Sequence, residues 1–306
     1  MSSRSGVLAV LIATFLLGER SGAADAKSSS VVRVGLSAPR LAATSAADDD
    51  DDDEDDDDDD DDDDDGSGEP SSSGASRGDD KMPAGAADAD AGADLDVVSR
   101  YVWRGLALSK GPVLQPEVWA SYRDLTVSAW ANVLLTSEAE LHRVSSAEVE
   151  AAYQFKWRRV EIDPVVTKYW FTDVGPVAGT TECAANGAVH FGPFALTTTQ
   201  SLDVEATPGA YIGALGGRLA GKRGRWEGKI TVDVAWATAS FNRAYWDRAI
   251  TAFDLAEGAA EVRFRATPLF SMAVHGTAST LLDTALRAEA AKPTLLTIGL
   301  SLSLNH

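Results

Sequence analysis

Charged residues of both signs fall on one face of the alternating segments that fill the C-terminal two thirds of this chain: Arg100, Arg104, Glu148, Glu150, Glu161, Glu182, Glu227, Lys229, Asp233, Glu261, Arg263 and Arg265. Rings of such side chains around an aqueous interior set ion selectivity. The same charges could instead pair across neighbouring strands and fill that interior, and the residue pattern leaves both uses open. A second chemistry is hydrolysis. Ser271, His275 and Glu261 share the polar face, as the nucleophile, base and orienting carboxylate of a barrel lipid hydrolase would. Ser271 and His275, however, stand four residues apart on one extended segment, roughly 13 Å at about 3.3 Å per residue, so they cannot bond each other. His190 and Glu182 share a face by the same parity and read as structural. Cys183 is the only cysteine, which excludes an intramolecular disulfide framework and every multi-cysteine zinc site. No cofactor is implied.

What must position these residues is a set of strands with two unlike faces, because apolar and polar residues alternate with period two. Gly228, Ile230, Val232 and Val234 point one way while Glu227, Lys229, Thr231 and Asp233 point the other. Val262 and Phe264 oppose Glu261, Arg263 and Arg265, and Leu296, Ile298, Leu300, Leu302 and Leu304 oppose Thr297, Gly299, Ser301 and Ser303. About twelve such segments can be counted, near 95–104, 113–122, 125–134, 147–156, 159–171, 182–191, 194–202, 210–220, 226–236, 257–266, 269–279 and 294–304. Most have the length that a tilted membrane-crossing strand needs, about 9–11 residues.

The connections alternate between long and short. Long ones at 105–112, 136–146, 172–181, around Ala206, at 237–256 and at 281–293 are interleaved with short turns at Arg123, Trp157-Arg158, Gly192-Pro193, 221–225 and Thr267-Pro268. An even-stranded transmembrane barrel has this pattern, with short turns and both chain ends on one side and longer loops on the other. The aromatics agree: Tyr101, Trp103, Trp170, Tyr211 and Trp236 lie beside long loops, and Tyr122, Phe155, Phe191, Phe194, Trp226, Phe264 and Phe270 beside short turns. These would form two interfacial girdles. The fold expected is therefore all-β, an antiparallel up-and-down transmembrane β-barrel of about twelve strands. Eight strands leave an interior filled by side chains and roughly 16–18 leave a channel, so twelve implies a narrow pore at most. The competing reading is a secreted soluble β-sandwich that binds a partner through its surface, with the aromatics in its core.

Of the 306 residues, all eight Trp, all six Tyr and eight of the nine Phe lie at or after residue 95, which places the folded domain at 95–306. The formal net charge of −20 is concentrated elsewhere, in the run 48–65 of Asp with one Glu. Removing those 18 residues leaves −20 + 18 = −2. The acidity is thus local, and it argues against nucleic-acid binding. Residues 27–94 are rich in Ala, Ser, Gly and Asp and lack aromatics, the composition of a disordered acidic linker. Within it Asp61, Asp63, Asp65 and Gly66 open like an EF-hand loop, but Ser72 stands where the bidentate Glu is required. Arg77-Gly78-Asp79 spells an adhesion tripeptide in a stretch where chance suffices to explain it. Residues 1–26 read as an export signal: Arg4, an uncharged apolar run from Gly6 to Gly18 and small residues at Gly22, Ala23, Ala24 and Ala26.

The stretch Ser99-Arg100-Tyr101-Val102-Trp103-Arg104-Gly105, followed by Gly111-Pro112-Val113-Leu114-Gln115-Pro116, resembles the opening of the TorF-like porin family of bacterial outer-membrane proteins, and Val127-Ser128-Ala129-Trp130-Ala131-Asn132 resembles that family's third strand. The resemblance implies a small exported barrel in the bacterial outer membrane, in contact with its lipid and passing small solutes or ions. Two features depart from the family: the poly-Asp stretch, and an ending of Ser303-Leu304-Asn305-His306 without a terminal aromatic residue.

Overall fold

A strand that alternates apolar with small or polar residues can keep one face in lipid and the other in water, and here twelve such strands close on one another. The structure, a computed structural model, describes residues 89–135, 143–172 and 178–305. The expected export signal, nearly all of the acidic linker, the EF-hand-like run and the Arg-Gly-Asp tripeptide lie outside the described residues. The barrel strands are β1 (Ala89–Val98), β2 (Val113–Tyr122), β3 (Leu125–Leu134), β4 (Val144–Tyr153), β5 (Val160–Phe171), β6 (Gly179–Phe191), β7 (Phe194–Asp203), β8 (Tyr211–Arg223), β9 (Trp226–Ala237), β10 (Ala252–Arg265), β11 (Phe270–Leu281) and β12 (Thr294–Asn305). A short continuation of β4, Phe155–Trp157, also pairs with β5. Each strand is antiparallel to the next, and β1 pairs with both β2 and β12, which seals the sheet into a barrel.

Turns at 123–124, 158–159, 192–193, 224–225 and 266–269 lie at one end, and the segments 99–112, 204–210, 238–251 and 282–293, with the described residues 135, 143, 172 and 178 that flank two further connections, at the other. The alternation read from the sequence is thus the alternation of the two barrel mouths.

Polarity is inside out relative to a soluble protein. Val118, Leu215, Val232, Val274, Leu296 and Ile298 are all more than half exposed on the outer wall, whereas Glu117, Asn132, Glu161, Asp163, Glu182, Arg263, Ser271 and Ser301 are buried on the inner one. Exposing apolar rows while burying carboxylates is unfavourable in water and favourable only where the outer wall meets lipid. The large sheet closes on itself, and among the described residues the only other sheet is the two-stranded pairing of Val102–Trp103 with Leu106–Ala107, so the sandwich is not the fold. At the short-turn mouth Tyr122, Phe155, Phe191, Phe194 and Trp226 of the expected girdle are exposed and Phe264 and Phe270 are half-buried, and Tyr153 and Trp157, not expected there, are exposed as well.

The first strand differs from expectation. It runs Ala89–Val98 rather than 95–104, so residues 89–94, assigned by composition to the linker, are barrel wall. Ala89, Ala91 and Ala93 are too weakly apolar to announce a lipid-facing row. Tyr101 and Trp103, expected in the long-loop girdle, instead leave the wall and are buried at 7% and 4% exposure. The strand from Ala252 likewise begins before the expected 257, because the preceding connection is shortened by a helix, α1 (Ala239–Trp246). A second helix, α2 (Thr284–Glu289), lies in the 282–293 segment.

Candidate functional site

The lumen has two zones, an aromatic cap at the long-loop mouth and a charged wall below it. The cap begins with residues 99–112. Val102–Trp103 pairs with Leu106–Ala107, and the turn between them places both Arg104 (φ 50°) and Gly105 (φ 81°) in the left-handed region. That is the two-residue turn whose twist suits a tight hairpin, and Gly at its second position adopts it without strain. Ser109 Oγ accepts from the Tyr101 amide (2.8 Å) and donates to the Gly111 carbonyl (2.8 Å), fixing the base of the hairpin.

The hairpin points into the barrel. The Trp103 ring sits 5.5 Å from that of Phe171 and 5.1 Å from that of Tyr245, centroid to centroid, and Tyr101 lies 5.5 Å from Trp130. Helix α1 supplies Phe241, Asn242, Tyr245 and Trp246 on one buried stripe, a 3.6-residue periodicity among strands of period two. Asn242 Nδ2 donates to the Ile250 carbonyl and to Asp254 Oδ1, both at 3.0 Å, tying the helix to β10. Helix α2 is capped by Asp283, which accepts from the amides of Ala285 (2.7 Å) and Leu286 (3.2 Å), and it sets Leu286 fully inside the same cluster. Burial raises the Tyr245 phenol above its ordinary pKa, so it stays neutral.

Arg104 locks the cap to the wall. Its two terminal nitrogens donate to the two carboxylate oxygens of Glu182 on β6 (2.7 and 2.5 Å), and Ser201 Oγ on β7 donates to the same carboxylate (2.6 Å). The guanidinium lies 4.4 Å from the centroid of the Trp103 ring. Burial alone would pull its pKa down, but the charge and hydrogen bonds of Glu182 more than offset this and hold it above the ordinary arginine value. A planar fork matched to a carboxylate in a place without competing water is a strong and geometrically demanding pair. The pair lines a small cavity together with Glu150, Thr167, Asn186, Thr199 and Ser201 and the apolar Val165 and Ile212.

Below the cap, the expected lumen-facing charges lie on the inner wall, and several pair. Arg263 bonds Glu261 (3.0 Å), Ser271 (3.1 Å) and Ser303 (3.1 Å). Lys229 approaches Glu261 (3.8 Å), and Arg265 bonds Glu227 (2.6 Å). Thr167 donates to Glu150 (3.2 Å), Glu148 is buried beside Tyr169 in register, and the Asp233 carboxylate lies over Gly216, where a Cβ would collide with it. Arg100 and Arg104 are the two of these residues that are not on a strand: Arg100 is on the segment leading to the hairpin and Arg104 in its turn. A polar chain, Gln115 Nε2 to Asn132 Oδ1 (2.9 Å) and Asn132 Nδ2 to Ser145 Oγ (2.6 Å), runs across β2, β3 and β4.

The hydrolase trio is not assembled as a relay. Ser271 accepts from Arg263, Glu261 is paired with Arg263, and His275 lies over Gly299, in register with Glu261. His190 and Glu182 both face inward but have different partners, Glu161 (3.4 Å) and Arg104. Among the described residues no group of three or more His, Cys, Asp or Glu is arranged to hold a metal ion. Inner-wall residues not singled out from sequence are Asp94, Asp96, Glu117, Asp163, Asn186, Arg218 and Glu257; the same parity that marked Glu161 marks Asp163.

No protein-family profile and no curated protein matches this chain. Among solved structures, the NanC porin aligns with a TM-score of 0.48 and 10% identity over 69% of this chain and 98% of its own. The KdgM porin aligns at 0.45 and 8% over 70% and 98%, and an outer-membrane channel from Pseudomonas putida F1 at 0.41 and 10% over 71% and 95%. Likeness of this order adds nothing to what the strand pairing already establishes.

Proposed function

We propose that the protein is an outer-membrane channel of narrow bore for small solutes or ions, exported by the signal at residues 1–26 and preceded by an acidic linker. The observation that carries this reading is the closed barrel with an apolar outer wall and a charged inner one. The resemblance of residues 99–116 to TorF-like porins supports the same location. In the conformation described, the Trp103 hairpin and α1 occupy the long-loop mouth and narrow it. Two measurements test the reading. The outer-membrane fraction should hold a species whose gel mobility changes on boiling in SDS, because a barrel with every strand paired unfolds only when heated. Purified protein in a planar bilayer should then give discrete current steps. A chain that stays soluble without detergent and shows no mobility change would overturn it.

A further inference from the structure

We infer that the lumen passes cations in preference to anions, and that the discriminating element is the inner wall of β5 and β6 around Asp163. This rests on the channel reading above. Asp163 and Asn186 stand opposite each other in register and both face inward, 2% and 3% exposed. Neither carboxylate oxygen of Asp163, and neither the oxygen nor the nitrogen of the Asn186 amide, has a hydrogen-bond partner. The inward cations across the lumen are differently placed: Arg263 and Lys229 are engaged by Glu261, Arg265 by Glu227, and Arg104 by Glu182. Lys156 and Arg218 act on Asp163 through space. Apart from these two, the inward cations named here are neutralised in pairs, whereas the Asp163 carboxylate is buried on the inner wall without a hydrogen-bond partner.

An unpaired carboxylate inside a barrel is costly, and a passing cation lowers that cost while an anion raises it. Asn186 adds a carbonyl oxygen for a partly dehydrated ion.

The test is the reversal potential of the full-length protein in a planar bilayer under a potassium chloride gradient. The wild type should reverse toward the potassium equilibrium value. Asp163→Asn should move the reversal toward zero, and Asn186→Asp should move it further to the potassium side, so that a gain of selectivity guards against a variant that merely misfolds. A wild-type reversal at zero or on the chloride side, or an unchanged reversal in both variants, would overturn the inference and leave the channel reading standing. Should the wild type be silent, Trp103→Ala with Phe241→Ala loosens the cap without altering charge, and the same potentials are read there. Silence from that variant as well would overturn the channel reading and the selectivity with it.

Discussion

The Arg104–Glu182 pair ties the cap to the wall, and its energetics are asymmetric. Both groups are buried, so removing one partner strands the other. Glu182→Ala should destabilise the protein by about 3–5 kcal/mol, read as the shift of its urea unfolding midpoint in lipid vesicles. Replacing both, Arg104→Met with Glu182→Leu, should cost far less because no buried charge is left behind. With the folded pKa of Arg104 above its ordinary value, the stabilisation it provides is present below the arginine range and is lost only at higher pH, so neutral or mildly alkaline pH leaves the lock intact. Glu205 behaves in the opposite sense. Hydrogen bonds from Lys168 and Thr181, both 2.5 Å, lower its pKa, so the tie it gives the 204–210 segment holds above the carboxylate range and is lost as pH falls. The protection factors of amides in that segment, corrected for the intrinsic pH dependence of exchange, should therefore fall at about pH 3 relative to about pH 7 while those of the strand cores are retained.

At the scale of elements, the hairpin is the piece most open to perturbation. A Cβ on Gly105 would lie 3.1 Å from Leu255 Cδ1 and 3.2 Å from Leu281 Cδ2, at a φ that L-residues avoid. Gly105→Ala should therefore cost about 1–2 kcal/mol and loosen the cap, giving more frequent current openings with the heat-modifiable mobility retained. This element also shows what the sequence concealed. The strands were legible because leucines and serines alternate over whole segments, as in Leu296 to Ser303, and a two-residue period has one structural reading. Tyr101 and Trp103 also differ by two, so they read as wall; only the turn at Arg104-Gly105, which reverses the chain within four residues, takes them inside. Helix α1 was hidden within the 237–256 connection for a related reason, since one short amphipathic turn between strands carries too few periods to register. Of the lumen, the parity of a strand assigns each charge on it to a face, while which charges pair depends on inter-strand register that no single segment encodes.

For the molecule as a whole, the outer wall sets the limits of tolerance. Val274 and Leu300 face each other across β11 and β12 on the lipid side, near mid-strand. Val274→Arg should destabilise the inserted barrel by about 2–4 kcal/mol in vesicle unfolding titrations, whereas Ser301→Ala on the facing inner wall should stay within about 1 kcal/mol.

The seam between β1 and β12, where Gly92 meets Asn305 and Val98 meets Gly299, joins the two extremes of the folded sequence. The contact that removes the last two open strand edges therefore closes the greatest loop between neighbouring strands of this sheet. Enclosure is all-or-none at that one ladder: with it the wall has no edge, and without it the same strands are an open sheet whose two bare edges can recruit another chain.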